Sequence, residues 1–111
     1  MRGFTQDDAH ICCHSDELEA EILQVVSLIE EFLRVFRFRK HRYRLGTRPA
    51  KANDGDPSSW AHAIGALRSA VQKLNLDVEV DEGGGAFYGP KLDVHVEDAH
   101  GRAWQLSTGA V

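Results

Sequence analysis

The first residues of the chain carry side chains that could bind a ligand. From Arg2 to His10 the sequence reads RGFTQDDAH, which places a guanidinium, an amide, two carboxylates and an imidazole close together. In a strand, side chains alternate between two faces, so Gln6, Asp8 and His10 would share one of them. Such a face suits a small polar ligand with a cation or metal ion beside it. The alternative is the edge of a hairpin whose polar groups face water.

A second segment with possible binding chemistry is strongly basic. It reads RVFRFRKHRYR from Arg34 to Arg44, with aromatic residues between the cations. Cations can meet phosphates and rings can stack on bases, so the segment is a candidate nucleic-acid surface. The alternative is the basic end of a helix followed by an edge strand, with Phe38, Tyr43 and Leu45 turned inward. The net charge of −4 argues against a nucleic-acid partner for the whole chain.

Length and composition limit the classes of protein to consider. The chain has 111 residues, 42% of them hydrophobic and 27% charged, which is typical of one small globular domain. No apolar run approaches the roughly 20 residues of a membrane span, and no membrane partner is expected. The two cysteines, Cys12 and Cys13, are adjacent and poorly placed to form a disulfide with each other. These features predict a protein of the reducing cytoplasm.

Hydrophobic periodicity predicts the elements that position these side chains. Strands are expected over residues 4–13, 38–45, 78–80, 92–96 and 102–108, with a hairpin turn at 98–101. Helices are expected over 16–36, with Ser15 as N-cap, and over 57–75, with Asp56 as N-cap and Pro57 at the first position. Their core-facing stripes would be Leu18, Ile22, Val25, Ile29, Phe32 and Phe36, then Trp60, Ile64, Leu67, Val71 and Leu74. Strand pairs with helices to one side indicate the α+β class.

Two loops carry strong turn signals. Residues 50–56 form a polar loop in which Asn53, Asp54 and Gly55 favour a turn. The glycine triplet at Gly83 to Gly85 could cradle a phosphate only if a strand preceded it and a helix followed. A strand-like segment follows instead, so a tight turn with positive φ is expected.

Three blocks of the sequence resemble threonyl-tRNA synthetases, which are class II aminoacyl-tRNA synthetases. RGFTQDDAH resembles the second strand of motif 2, GAFYGPKLD from Gly85 resembles the GAFYGPK(I/L)(D/E) strand, and GRAWQLST from Gly101 resembles the GRxWQxxT strand. The blocks follow the family's order, with TRP from Thr47 fitting between the first two. The resemblance implies that residues 1–111 are part of the catalytic domain, from motif 2 to just before motif 3. It also implies an antiparallel sheet flanked by two helices.

The resemblance implies a reaction as well. Such enzymes activate threonine with ATP and Mg²⁺ to threonyl-adenylate and then transfer threonine to tRNA(Thr). Negative charge gathers at the reacting phosphate, and Arg2 and Lys91 match the family's catalytic, ATP-binding cations. Gln105 and Thr108 match positions near the ATP ribose.

The resemblance assigns the amino-acid pocket to other residues. Gln6 and Tyr88 match side chains that line it, and Asp8 matches the aspartate that accepts a hydrogen bond from the threonine hydroxyl. His10 matches a ligand of the zinc ion that binds the amino group and hydroxyl of threonine together. Such a metal allows the enzyme to discriminate threonine from valine. A purely apolar pocket discriminates poorly between the two.

The zinc site is incomplete in this sequence. Zinc in a catalytic site takes three protein ligands, and the resemblance implies that His10 would be one of them. Cys12 and His14 would share its face and could form a substitute trio, although a straight strand spreads them apart. Ala110 also stands where the family places a pocket glutamine.

Several family segments have no match in the chain, namely motif 1, the first strand of motif 2, motif 3 and the anticodon-binding domain. We therefore expect a piece of the catalytic core of an enzyme that is a homodimer at full length, with the piece alone inactive and marginally stable. One alternative is a non-catalytic synthetase-like module that binds a nucleotide or a partner synthetase. Another is a prolyl- or seryl-tRNA synthetase.

Overall fold

The computed structural model describes residues 2–51 and 56–111, and it contains two helices and a four-stranded sheet. The turn predicted at Asn53, Asp54 and Gly55 lies outside the described residues. The elements are α1 (Leu18–Val35), β1 (His41–Gly46), α2 (Pro57–Lys73), β2 (Val78–Asp81), β3 (Lys91–Glu97) and β4 (Ala103–Ala110). None of the helices in these two described ranges is long and apolar enough to cross a bilayer.

The sheet has the strand order β2-β1-β3-β4. β3 pairs antiparallel with both β1 and β4, whereas β2 runs parallel to β1. The parallel pair follows from α2, which supplies the crossover that two parallel strands need. The predicted α+β class and the two flanking helices are confirmed. The sheet is mixed rather than wholly antiparallel.

Both helices cover the same face of the sheet, and the core lies between the two layers. Alternation along β1 and β3 sends one set of apolar side chains towards the helices. The buried cluster comprises Ile22, Val26 and Leu33 of α1, Ala66, Leu67, Ala70 and Val71 of α2, Tyr43 and Leu45 of β1, and Leu92, Val94 and Val96 of β3. The predicted start of α2 at Pro57 is confirmed.

α1 differs from its prediction at its start. The helix begins at Leu18, and Ser15 belongs to a preceding turn rather than to the N-cap. In that turn the Glu17 N–H donates to the His14 carbonyl oxygen at 3.0 Å, and helical bonding starts only with Glu21 N–H to the Glu17 carbonyl at 3.1 Å. Glu17 therefore occupies the N-cap position.

The core-facing stripe of α1 also differs from its prediction. Phe32 and Phe36 are 55% and 67% exposed, with their rings stacked at 6.5 Å, whereas Leu33 is buried. The buried stripe runs through Ile22, Val26 and Leu33. α1 is apolar around much of its circumference, so periodicity alone allowed either stripe.

A polar contact joins α1 to β1 across the boundary between the helices and the sheet. The buried Tyr43 hydroxyl donates to Glu30 Oε1 at 2.5 Å, and His41 Nε2 lies 2.9 Å from the same oxygen. Burial, followed by the contact with the Glu30 carboxylate, raises the pKa of Tyr43. The phenol therefore stays a neutral donor.

Each helix is followed, two positions after its last residue, by a residue with positive φ. Arg37 has φ 61° and Asn75 has φ 54°. At the end of α1 the Phe38 N–H donates to the Leu33 carbonyl at 2.8 Å and the Arg37 N–H to the Arg34 carbonyl at 3.1 Å. This is the Schellman arrangement, which satisfies carbonyls that the last helical turn leaves unpaired.

The strand predicted over residues 4–13 is absent. The structure shows residues 2–13 as irregular and exposed. A strand is stable only when a neighbour completes its hydrogen-bond ladder, and no described residue bonds to this backbone in a ladder. The expected alternation of Gln6, Asp8 and His10 on one face of a sheet is therefore not realised.

Candidate functional site

The face of the sheet opposite the helices is polar, and we call it the open face. Tyr43 and Val94 point into the core, so their strand neighbours point the other way. The residues of the open face on the two central strands are Arg42 and Arg44 of β1 and Lys91, Asp93 and His95 of β3. Cations and carboxylates meet on this face, which makes it the candidate site.

A β-bulge adjusts which residues of β4 reach the open face. The β3–β4 register shifts between Val94 and His95 and leaves Leu106 without a partner on β3. In a regular strand Gln105 and Thr108, three positions apart, would point to opposite faces. The extra residue brings both onto the open face, beside β3.

Asp93 is the centre of this arrangement and is only 5% exposed. Thr108 Oγ1 donates to Asp93 Oδ1 at 2.6 Å, and Gln105 Nε2 donates to the same oxygen at 3.4 Å. Lys91 Nζ lies 2.7 Å from Asp93 Oδ2. These four residues form what we call the Asp93 cluster. The three donors compensate the desolvation of a buried carboxylate.

The burial of Asp93 does not follow from the sequence pattern. In β3 it alternates with apolar residues, as His95 and Glu97 do, and such a position on the outer face of a sheet is usually exposed to solvent. The structure buries Asp93, because β4 lies alongside and supplies two hydrogen-bond donors. A usable signal was present in the sequence, since Lys91 and Asp93 are two residues apart on one strand. They therefore share a face and can form an ion pair.

The start of β3 is held in place by a close backbone approach. Val111 N–H donates to the Pro90 carbonyl at 3.0 Å, and Pro90 is fully buried. A Cβ added at Gly89 would overlap the Val111 carbonyl oxygen. Glycine at this position lets the two chain segments meet and brings Lys91 into register with Ala110.

The glycine triplet forms a tight turn, which confirms that prediction. Gly83 has φ 76°, and its N–H donates to Thr47 Oγ1 at 3.1 Å. The Gly85 N–H donates to the Thr47 carbonyl at 2.8 Å. A Cβ on Gly46 would lie 2.7 Å from the Gly84 backbone, so this turn packs directly against the end of β1.

The remaining residues predicted to form the site are not brought together with the Asp93 cluster. Arg2, Gln6, Asp8 and His10 are all exposed in the irregular segment, and Tyr88 is 57% exposed in the loop before β3. Among the residues that the structure describes, none of these five forms a hydrogen bond or ion pair with the cluster.

The substitute zinc trio of His10, Cys12 and His14 does not form. Within residues 2–51 and 56–111, no three His, Cys, Asp or Glu side chains converge to hold a metal ion. Partial desolvation, followed by the charge of Glu21, raises the pKa of the neighbouring Cys13 thiol. The residues present do not make a zinc site, and we derive no step through one.

The basic segment follows the structural alternative in all but one respect, because β1 lies between β2 and β3 and is a central strand rather than an edge strand. Tyr43 and Leu45 are buried and Phe38 is half-buried, so these side chains serve the core. Arg44 Nε lies 3.5 Å from Glu79 Oε2, and both residues are exposed. The segment is therefore the end of α1 followed by β1, with its charges turned outward.

Known proteins are similar to this chain in sequence and in fold. Residues 1–110 match the family model described as tRNA synthetase class II core domain (G, H, P, S and T). The chain is 54% identical over 108 residues to threonine–tRNA ligase of Nitrosococcus oceani, with 97% of this chain and 17% of that protein covered. Against the chloroplastic/mitochondrial threonine–tRNA ligase 2 of Arabidopsis thaliana the identity is again 54% over 108 residues, covering 97% and 16%.

A solved structure is also similar. The crystal structure of the RNA binding domain of threonyl-tRNA synthetase from Cryptosporidium parvum superposes with a TM-score of 0.77 and 30% identity. The match covers 86% of this chain and 24% of that one. The chain spans about a sixth of the length of the curated relatives it matches.

Proposed function

Because the chain belongs to the family of class II tRNA synthetase core domains (G, H, P, S and T), we propose that it supplies part of the catalytic site of a threonine–tRNA ligase. One observation carries the proposal. Lys91, Gln105 and Thr108, which the sequence resemblance assigns to ATP, lie together around Asp93 on the open face. Lys91 comes from one block of the sequence and Gln105 and Thr108 from another, so their convergence supports a shared site.

The proposed first step forms threonyl-adenylate. A threonine carboxylate oxygen attacks the α-phosphorus of ATP, the bond to the oxygen that bridges the α- and β-phosphorus breaks, and pyrophosphate leaves with Mg²⁺. The ammonium of Lys91 and the guanidinium of Arg2 would balance the charge that builds on the phosphate. Gln105 and Thr108 would hydrogen-bond the ribose. Threonine then passes to tRNA(Thr).

The threonine pocket rests on the sequence pattern alone. Gln6 and Tyr88 would line it, and Asp8 would accept a hydrogen bond from the threonine hydroxyl. His10 would be one zinc ligand, with the remaining ligands supplied from outside the described residues. These assignments are supported by the 54% identity to threonine–tRNA ligases.

We propose tRNA(Thr) and a second identical subunit as partners of the whole protein. The similar Cryptosporidium parvum structure is that of an RNA binding domain, which supports an RNA partner. Cys12 and Cys13 are free and exposed, which favours a reducing compartment such as the cytoplasm. The Arabidopsis thaliana relative is named for chloroplasts and mitochondria, so an organelle is the second candidate.

A chimeric enzyme tests the proposal. The 108 matched residues of the Nitrosococcus oceani ligase are replaced by those of this chain, and threonine-dependent exchange of pyrophosphate into ATP is measured. We expect exchange with the chimera and a loss of roughly 100-fold in kcat with Lys91→Ala, since one charge that stabilises the transition state is removed. Glu79→Gln, an exposed carboxylate on β2, is the matched control.

The outcomes separate the candidate functions. A folded chimera without exchange, beside an active parent ligase, contradicts the proposal. ATP binding by such a chimera without exchange would instead match a non-catalytic nucleotide-binding module. Equal exchange by the Lys91→Ala and unmodified chimeras would contradict the role of Lys91.

A further inference from the structure

We propose that Asp93 is a positioning residue that fixes the direction of the hydrogen bonds offered by the open face. The inference rests on the proposed function and deepens it, because it identifies which atoms of the site accept hydrogen bonds from ATP and which donate them. Neither the sequence pattern nor the resemblance gave Asp93 a role. The role is inferred from the burial of Asp93 and from its three contacts.

The Asp93 carboxylate dictates how its neighbours orient their protons, because an ionised carboxylate accepts hydrogen bonds and donates none. The Thr108 hydroxyl, 2.6 Å from Asp93 Oδ1, must therefore point its proton at Asp93, which leaves lone pairs on Oγ1. The side-chain amide of Gln105 must likewise turn Nε2 towards the same oxygen, 3.4 Å away, which leaves its Oε1 as an acceptor and its second Nε2 proton as a donor.

Lys91 contributes the opposite polarity. Its ammonium carries three protons, and the contact with Asp93 Oδ2 at 2.7 Å uses one of them. Two protons remain for an anionic ligand. The open face therefore offers acceptors on β4 next to a cationic donor on β3. Hydroxyl groups beside a phosphate, as in the ribose and α-phosphate of a nucleotide, complement this pattern.

Burial separates the role of Asp93 from that of the residues around it. Asp93 is 5% exposed, whereas Gln105 and Thr108 are exposed on the strand beside it. A ligand can reach the latter two but not the carboxylate beneath them. Asp93 therefore acts through its neighbours. A buried carboxylate that loses its donors is strongly destabilised, so the three contacts hold each other in one arrangement.

Asp93→Asn is the decisive substitution, because it keeps the size of the side chain and removes its charge. The asparagine amide can donate as well as accept. The Thr108 hydroxyl is then free to accept from Asn and to turn its proton outward, and Lys91 loses its counter-charge. Asp93→Glu keeps the charge and serves as the rescue variant.

The first experiment needs no ligand. In NMR spectra of the 111-residue chain, the Thr108 hydroxyl proton should be observable, and one Gln105 side-chain amide proton should be protected from exchange with water. Asp93→Asn should remove the hydroxyl signal, while Glu79→Gln should leave it unchanged. Cross-strand signals between β3 and β4 verify that each variant is folded. A hydroxyl signal that persists in folded Asp93→Asn would overturn the inference.

The second experiment uses the chimeric ligase and compares ATP with 2′-deoxy-ATP and 3′-deoxy-ATP in threonine-dependent exchange. Loss of the hydroxyl that faces Thr108 or Gln105 should raise KM about tenfold, because an acceptor loses its donor. In Asp93→Asn this discrimination should fall at least about threefold, and Asp93→Glu should recover part of it. Undiminished discrimination in Asp93→Asn would overturn the inference. An inactive unmodified chimera would contradict the proposed function, and the NMR result would then decide the role of Asp93.

Discussion

Arg37 adopts a backbone conformation that suits glycine better than arginine. Its φ of 61° lies in the left-handed region, at the position just after α1 where glycine is usual. Arg37→Gly should therefore raise the free energy of unfolding by about 1 kcal/mol, measured by urea denaturation. Asn75→Gly, at the same position after α2, is the matched comparison and should gain less, because asparagine tolerates this region. A loss of stability in Arg37→Gly would contradict a left-handed backbone conformation at this position.

A second residue-scale prediction concerns the contact between α1 and β1. Tyr43 is 2% exposed, and its hydroxyl donates to Glu30 at 2.5 Å. Glu30→Ala should lower the free energy of unfolding by about 1–3 kcal/mol, because it leaves a buried donor without an acceptor. Tyr43→Phe should cost less, since it removes the donor and leaves Glu30 in contact with His41. Equal losses in the two variants would contradict an unsatisfied hydroxyl as the cause.

The sequence indicated candidate site residues only through local blocks. Those blocks predicted Lys91, Gln105 and Thr108 as ATP-binding residues, and the structure brings their side chains together around Asp93, while their role stays a prediction. Asp93 was missed, because its burial depends on β4 lying beside β3 and on a bulge at Leu106. Neither feature can be predicted from the period-two pattern of β3 alone.

At the scale of elements, the β3–β4 hairpin depends on one carboxylate. Asp98 Oδ1 accepts from the backbone N–H groups of His100 at 2.8 Å and Arg102 at 2.9 Å. Asp98 Oδ2 accepts from Trp104 Nε1 at 2.9 Å and from Arg102 Nε at 2.8 Å. The bond from Trp104, followed by that from the Arg102 backbone, lowers the pKa of Asp98 below its ordinary 3.8.

This lowered pKa gives stability a defined pH dependence. A carboxyl group that is more acidic when folded stabilises the fold fully above the unfolded pKa, near 4, and loses that contribution as pH falls through the folded value. The Tm advantage of the wild type over Asp98→Asn should therefore shrink as pH is lowered from about 6 to about 2. Thermal unfolding of both proteins over this range tests it. Parallel Tm curves would contradict the role of Asp98.

Elements with local start and stop signals were predicted best. α2 begins at Pro57, as the Asp-Pro pair predicted, and the turn before β4 forms where expected. The start of α1 was misplaced, because Ser15 fits an N-cap by type but sits in a turn. Residues 4–13 were predicted as a strand from their side chains, yet strand formation requires a neighbouring backbone that sequence patterns do not specify.

At the scale of the whole molecule, the apolar core and the candidate site lie on opposite faces of the sheet. The helices and the inner face of the sheet hold the apolar core, and the open face holds the Asp93 cluster. Other large apolar side chains remain in water. Phe36 on α1 is 67% exposed, and Trp104 and Leu106 on the edge strand β4 are 54% and 52% exposed. Exposed apolar surface of this kind contributes nothing to folding of the isolated chain.

The 111-residue chain by itself should therefore be marginally stable and catalytically silent. We expect a free energy of unfolding at or below about 5 kcal/mol, the lower end for folded domains. Threonine-dependent exchange of pyrophosphate into ATP should not exceed that of the Lys91→Ala variant. The physical reason is that the residues assigned to threonine, Gln6, Asp8 and His10, lie exposed outside the sheet while the Asp93 cluster is already formed on it.

Urea denaturation measures the free energy of unfolding, and the exchange assay measures activity on the same preparations. The chimeric ligase is the active reference. If the isolated chain binds ATP without exchange, the open face is a formed nucleotide site that lacks its amino-acid pocket, as we propose. Exchange by the isolated chain that Lys91→Ala abolishes would contradict the prediction. In that case residues 2–13 would have to order beside the open face once threonine and ATP are bound.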